Sequence, residues 1–210
     1  IPVFHDDQHG TAIVVLAALT NSLKLVKKKM NEITIVMSGA GAAGTAIARL
    51  LTKSGAAKII AFDKDGCVTP GFSGKISDAM KGADVFIGVS APNVLTEEDV
   101  AGMAKGSIVF ALANPDPEID PALARKHAAV VATGRSDQPN QINNVLAFPG
   151  IFRGLLDAGI TKITDSMLVL AAEAIASCVA EEQLNANFIV PSVFDLNVVQ
   201  KVAAAVKKSS

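Results

Sequence analysis

Apolar residues recur at helical spacing from Thr11 to Lys28 (TAIVVLAALTNSLKLVKK), and lysines close the segment where a helix C-terminus favours cations. From Ile33 the pattern becomes short runs rich in Ile, Val and Phe, separated by mixed segments. These runs predict strands at 33–38, 58–62, 84–89, 107–112 and 128–132. Helices are predicted between them at 42–54, 76–81, 96–104 and 120–126. Strands separated by helices require right-handed crossovers, so the expected architecture is α/β, a doubly wound parallel sheet. After Gly150 the strand runs stop. Helices are predicted over Asp157–Ala180 and Val198–Lys208, which flank the sheet together with the opening helix.

The first strand runs into SGAGAAGTAIAR, with Gly39, Gly41 and Gly44 in G-x-G-x-x-G spacing. Gly39 suits a tight turn, Gly41 a close approach of backbone to a pyrophosphate, and Gly44 close packing of helix on strand. The N–H groups of Ala40, Ala42 and Ala43 complete the phosphate loop at the positive end of the next helix. The second strand ends in Asp63, about 20 residues on, where a carboxylate takes the adenosine ribose. This is a Rossmann-type dinucleotide pattern, and the implied cofactor is NAD or NADP. Asp63 disfavours a 2′-phosphate and Lys64 would accommodate one, with the balance toward NAD. The loop Lys64–Lys75 is short for a place where a further strand-sized or helix-sized element could sit.

Other polar clusters fall at the predicted carboxyl ends of strands, where open parallel sheets bind ligands. They are Ser90–Asn93, Asn114-Pro115 and Thr133–Ser136, with Asn143-Asn144 just before an apolar turn. Each has a plainer reading as a turn former or helix cap. Asp6-Asp7 has two readings as well. The pair caps the first helix, or it offers the hard oxygens that Mg²⁺ or Mn²⁺ prefers. His5 and His9 flank the pair and are assigned to packing and supporting hydrogen bonds.

Half of the 210 residues are apolar and the formal net charge is −1, so a sizeable core is expected and nucleic acid is not a partner. Cys67 and Cys178 have neither disulfide nor metal spacing and read as structural residues of a reducing compartment. No uninterrupted apolar run approaches the roughly 18 residues of a membrane span, and the start lacks the pattern of a signal peptide. The expected location is cytoplasmic, away from membranes. The opening IPVFHDDQHG reads as the interior of a longer chain.

Five blocks now combine: IPVFHDDQHGTA at 1–12, SGAGAAGTAIARLL at 38–51, GADVFIGVSAPNVLT at 82–96, ALANPDPEI at 111–119 and ATGRSDQPNQINNVLAFPGIFRG at 132–154. Together they resemble the NAD(P)-binding domain of bacterial-type malic enzymes over nearly the whole of residues 1–210. The resemblance implies metal-dependent oxidative decarboxylation of L-malate to pyruvate and CO₂ by a full-length enzyme that is a homodimer. It implies that Asp7 ligates Mg²⁺ or Mn²⁺ and that Asp6 is an acid just outside the metal shell. Ser90 then lies along the cofactor path. Asn114 and Asn144 bind substrate and nicotinamide through their amides, with Asn143 beside them on the substrate. The family's catalytic tyrosine and lysine, and two further acidic metal ligands, belong to a segment before the IPVFHDD block, and this chain has no tyrosine. Relatives also carry a longer stretch after Asp63. The isolated chain is therefore expected to bind cofactor without turning over malate. Malolactic chemistry is the enzymatic alternative, and a non-catalytic NAD-binding or interaction module is the alternative of another class.

Overall fold

The computed structural model describes residues 1–208. A single six-stranded sheet has the order β3-β2-β1-β4-β5-β6. Its strands are β1 (Thr34–Ser38), β2 (Lys58–Asp63), β3 (Gly66–Cys67), β4 (Val85–Gly88), β5 (Ile108–Ala111) and β6 (Val130–Thr133). All neighbours pair in parallel except β2 and β3, which form an antiparallel hairpin. Strands β4, β5 and β6 are buried at every position, as a sheet covered on both faces requires.

One face carries α1 (Thr11–Val26), α2 (Ala42–Lys53), α6 (Phe148–Asp157), α7 (Asp165–Ala176) and α8 (Leu196–Lys207). The other carries the short helices α3 (Ile76–Met80), α4 (Glu97–Ala101) and α5 (Pro121–Ala124). The α/β doubly wound expectation holds. Helix α1 and the π-helical turn Asp6–Gly10 before it make 21 residues long and apolar enough to cross a membrane, yet 67% of the most apolar window is buried inside the protein. Ile13, Val14, Val15 and Leu19 of α1 are fully buried, which makes it the central helix of the core.

Two expectations need correction. The helix expected over 157–180 is only α7 (Asp165–Ala176), preceded by a separate helix, α6, that begins at Phe148 and ends at Asp157 just before Gly159, whose φ of +63° few other residues tolerate. The N–H of Ile160 reaches the Leu155 carbonyl there at 2.9 Å, and the chain restarts only at Thr164, whose hydroxyl caps α7. The loop 64–75 in turn contains the strand β3. The Thr69 hydroxyl accepts the Ala61 N–H at 2.8 Å, and Phe72 packs edge-on against Phe62 with centroids 6.0 Å apart, so this loop seals the sheet edge.

Candidate functional site

Neighbouring strands leave β1 in opposite directions, β2 on one side and β4 on the other, which makes the carboxyl ends of β1 and β4 the switch point of the sheet. A cleft of about 530 Å³ opens there. Asp6, Asp7, Thr11, Ala43, Asn114, Asn143 and Asn144 line it, together with the apolar side chains of Val89, Leu112 and Phe148. Polar residues from three separate stretches of sequence, 6–11, 114 and 143–144, thus meet beside the start of α2.

The phosphate loop has the geometry its glycines suggest. Gly39 has φ +101°, and its N–H donates to the Phe62 carbonyl at 2.8 Å, joining β1 to β2. A Cβ on Gly44 would overlap the Gly39 carbonyl oxygen, so that glycine is fixed by helix-on-loop packing. A Cβ on Gly41 would meet nothing within 4 Å, so the free protein makes no demand for glycine at 41. Helix α2 starts at Ala42 with no side-chain cap, so no side chain takes up its first N–H groups, and Ala43 of its first turn lines the cleft.

Asp63 lies at the end of β2, where its Oδ1 accepts the N–H groups of Asp65 and Gly66 at 2.8 and 3.0 Å. Its Oδ2 has no partner among the described residues. Lys64 pairs with Asp65 at 3.3 Å on the surface. Ser90 follows β4, and its hydroxyl lies 2.8 Å from that of Ser38. Asn114 packs beside Gly134, where a Cβ would come 3.3 Å from its Nδ2.

The two asparagines before α6 differ. Asn143 Oδ1 accepts the Val145 N–H at 3.0 Å and caps a short turn, so part of its polarity is local. Asn144 bridges elements 138 and 133 residues apart in sequence: its Nδ2 donates to Asp6 Oδ2 at 3.3 Å, and its Oδ1 accepts the Thr11 hydroxyl at 3.2 Å. Gly10 makes this possible, since a Cβ there would collide with the Asp6 carboxylate and come 3.3 Å from Asn144 Cβ. The capping reading of Asp6-Asp7 does not survive. The turn starts from His5 without a side-chain cap, and neither carboxylate accepts a helix N–H among the described residues. Asp7 is exposed at the cleft.

His9 behaves as a support, whereas exposed His5 takes part through its backbone N–H. The His5 N–H donates to His9 Nδ1 at 3.0 Å, and the His9 ring lies 5.2 Å from that of Phe4. Burial, followed by the nearby His5, pushes the His9 imidazole below its ordinary pKa, which favours the neutral form. His9 faces a second cleft of about 410 Å³ along α2, beside Arg49 and Asp165. Cys178 is half-buried and burial raises its thiol pKa, consistent with packing.

Sequence reasoning missed Gly10 and Glu118. Glu118 sits in the ALANPDPEI block and is 0% exposed beneath the ends of β4 and β5. A carboxylate in an apolar turn is a weak signal in one sequence, because solvated turns carry the same residue.

The family model described as "Malic enzyme, NAD binding domain" matches residues 8–70 and 74–210. The chain belongs to that family. It is 51% identical, over its whole length, to the NAD-dependent malic enzyme of Geobacillus stearothermophilus, of which it covers 48%. It is 42% identical to the NADP-dependent malic enzyme of Escherichia coli, of which it covers 32%. The crystal structure of the NAD-dependent malic enzyme from Thermotoga maritima superposes with TM-score 0.93 at 44% identity, over 99% of this chain and 60% of that one. That of the Entamoeba histolytica malic enzyme gives 0.96 at 39% identity, covering 100% and 49%. The chain thus spans about half the length of several of these malic enzymes, and a third of the Escherichia coli one. The family match breaks between 70 and 74, inside the loop after β3, and the Geobacillus alignment runs over 229 positions against 210 residues here.

Proposed function

We propose that this domain supplies the dinucleotide site and one wall of the substrate site of a malic enzyme that converts L-malate to pyruvate and CO₂. The observation that carries this reading is the meeting of Asp6, Asp7, Asn114 and Asn144 in one cleft beside the uncapped start of α2. The donor set is all oxygen and amide, with no thiolate and with both flanking histidines outside the cleft lining. Such a set fits Mg²⁺ or Mn²⁺, which takes one or two carboxylates plus substrate oxygens. Asp7 would hold the ion, with Asp6 beside it.

When bound, the nicotinamide accepts hydride and the divalent ion stabilises the charge that develops on substrate oxygens. The chain's own residues orient. The N–H groups at the start of α2 receive the pyrophosphate, and Asp63 Oδ2 accepts from a ribose hydroxyl. Asn144 holds the Asp6 carboxylate in one direction through its Nδ2. Asn114 offers an amide to nicotinamide or substrate, Asn143 lies next to it on the substrate side, and Phe148 and Val89 exclude water from one side of the cleft.

Preference for NAD follows from charge. Around the 2′ position two carboxylates, Asp63 and Asp65, face one lysine that is already paired with Asp65. The same reading makes the whole enzyme a cytoplasmic homodimer.

The test is an assay of malate with NAD and Mn²⁺ on the enzyme carrying this domain, followed for pyruvate and reduced cofactor. Lactate without net cofactor reduction would identify malolactic chemistry, a reading favoured by 50% identity to the bifunctional malic/malolactic enzyme of Bacillus subtilis. Nucleotide binding without turnover of malate by the whole enzyme would leave a binding module. The isolated 210-residue chain is expected to bind NAD and to leave malate untouched.

A further inference from the structure

Glu118 is fully buried and forms no ion pair among the described residues. Its Oε1 accepts the Ser90 N–H at 2.8 Å and the Ser90 hydroxyl at 3.2 Å, and its Oε2 accepts the Ala113 N–H at 3.1 Å. Ser90 follows β4 and Ala113 follows β5, so one carboxylate clamps two loops that leave adjacent strands. The backbone repeats the link: the Glu118 carbonyl accepts the Leu95 N–H at 3.0 Å, and the Pro117 carbonyl accepts the Asn93 N–H at 3.3 Å. Gly88 on β4 leaves the space, since a Cβ there would run into the Glu118 carboxylate.

Burying a carboxyl group in an apolar layer is costly unless both oxygens are satisfied. Packing alone would be served by an apolar residue of similar volume. What this position requires is two acceptors a fixed distance apart, aimed at N–H groups of two loops. Both loops lie on the β4–β6 side of the switch point, the half of the sheet that takes the nicotinamide end. The adenosine end lies over β1 and β2.

We propose that Glu118 is a positioning residue that sets the Ser90 and Asn114 loops at the spacing the nicotinamide half of the cofactor needs. This rests on the dinucleotide reading above, and the experiment separates the two. Glutamine at 118 keeps the volume but turns one acceptor into an NH₂ group facing an N–H, so one clamp is lost in either orientation. Calorimetric titration of the wild-type chain and of Glu118→Gln would use NAD⁺ and ADP-ribose, which lacks nicotinamide.

The expected result is NAD⁺ binding weakened about tenfold, the order expected for one lost hydrogen bond to a carboxylate. ADP-ribose binding should change less than about twofold, because the carboxylate bonds only to the loops after β4 and β5 and to no group of the phosphate loop or β2. Equal weakening of both ligands, or a lower unfolding temperature with both affinities intact, would overturn the positioning role. If the wild type binds neither ligand, the dinucleotide reading itself fails. Should Glu118→Gln not fold, Gly88→Ala displaces the carboxylate without changing its chemistry and is expected to give the same split between ligands. Hydrogen exchange on the wild type decides if neither variant folds. The Ser90 and Ala113 amides should gain protection from NAD⁺ beyond that given by ADP-ribose, and an equal response to the two ligands would overturn the proposal.

Discussion

Gly41 is the one glycine of the phosphate loop whose reason is missing from the free protein, which makes Gly41→Ala a direct probe of where the ligand lies. Its backbone, at φ −75° and ψ −157°, is open to alanine, and a Cβ there meets no atom within 4 Å. Replacing glycine in a compatible conformation gains about 0.4–1 kcal/mol through the unfolded chain. Alanine is a poorer N-cap than glycine, so the net change in stability should stay within about 1 kcal/mol. A methyl group between α2 and a pyrophosphate, by contrast, pushes the phosphate off at least one N–H. Losing one charge-assisted hydrogen bond costs about 1.5–3 kcal/mol, or roughly 10- to 150-fold in Kd. Gly44→Ala is the contrasting variant: its Cβ overlaps the Gly39 carbonyl, so it should destabilise the fold by about 1–3 kcal/mol even without ligand. Thermal unfolding and calorimetric titration with NAD⁺, run on both variants, separate ligand approach from packing. Wild-type affinity in Gly41→Ala would refute the placement of the pyrophosphate at this loop.

Asp63→Ser removes the carboxylate beside the 2′ position, so NAD should weaken about tenfold, as for one lost charged hydrogen bond, while NADP weakens less. An unchanged ratio of the two affinities would rule out the ribose role. Asp7→Asn in the whole enzyme should lower Mn²⁺ affinity, read by electron paramagnetic resonance, and lower decarboxylation while sparing NAD binding. Equal manganese affinity in variant and wild type would end the assignment of Asp7 as a ligand.

The parallel sheet was legible because strands buried on both faces must be continuous apolar runs, and VFIG, IVFA and VVAT are that. The phosphate loop was legible because Gly39 and Gly44 are demanded by local geometry and Gly41 completes their G-x-G-x-x-G spacing. Helix α6 was not, because Phe148, Pro149 and Gly150 look like a turn. Pro149 fits the first turn of a helix, and Gly150 is required by contact with Val202 on α8, a residue far away in sequence. Strand β3 was hidden by its length of two residues, which leaves no alternation to read. Asp6, Asp7, Asn114 and Asn144 could be named one by one, since each belongs to a distinctive block. The bond between Asp6 and Asn144, and the clamp made by Glu118, exist only once chain segments far apart in sequence are folded together.

The asparagine segment owes its position to the packing of α6 against α8. Asn143 and Asn144 lead directly into α6, and α6 lies against α8 so closely that a Cβ on Gly154 would come 2.7 Å from the Ala203 carbonyl oxygen. Val202 and Val206 fill the same contact with no exposure. A helix held at that distance cannot retreat without opening a void, and interior voids are destabilising. Phe148 is therefore presented to the cleft and Asn144 to Asp6 by a seam that lies outside the cleft lining. The acidic pair is steadied from the other direction by α1, whose Thr11 completes the bond to Asn144 and whose next residues are the most buried of the core. Both carboxylates stay exposed at the cleft, while Asn144, which holds Asp6, is anchored by packing in the interior. On the proposed reading of Asp7 as the ligand, that division, with exposed acids in front and apolar packing behind, would let the pair meet a hydrated ion while Asn144 keeps Asp6 in one direction.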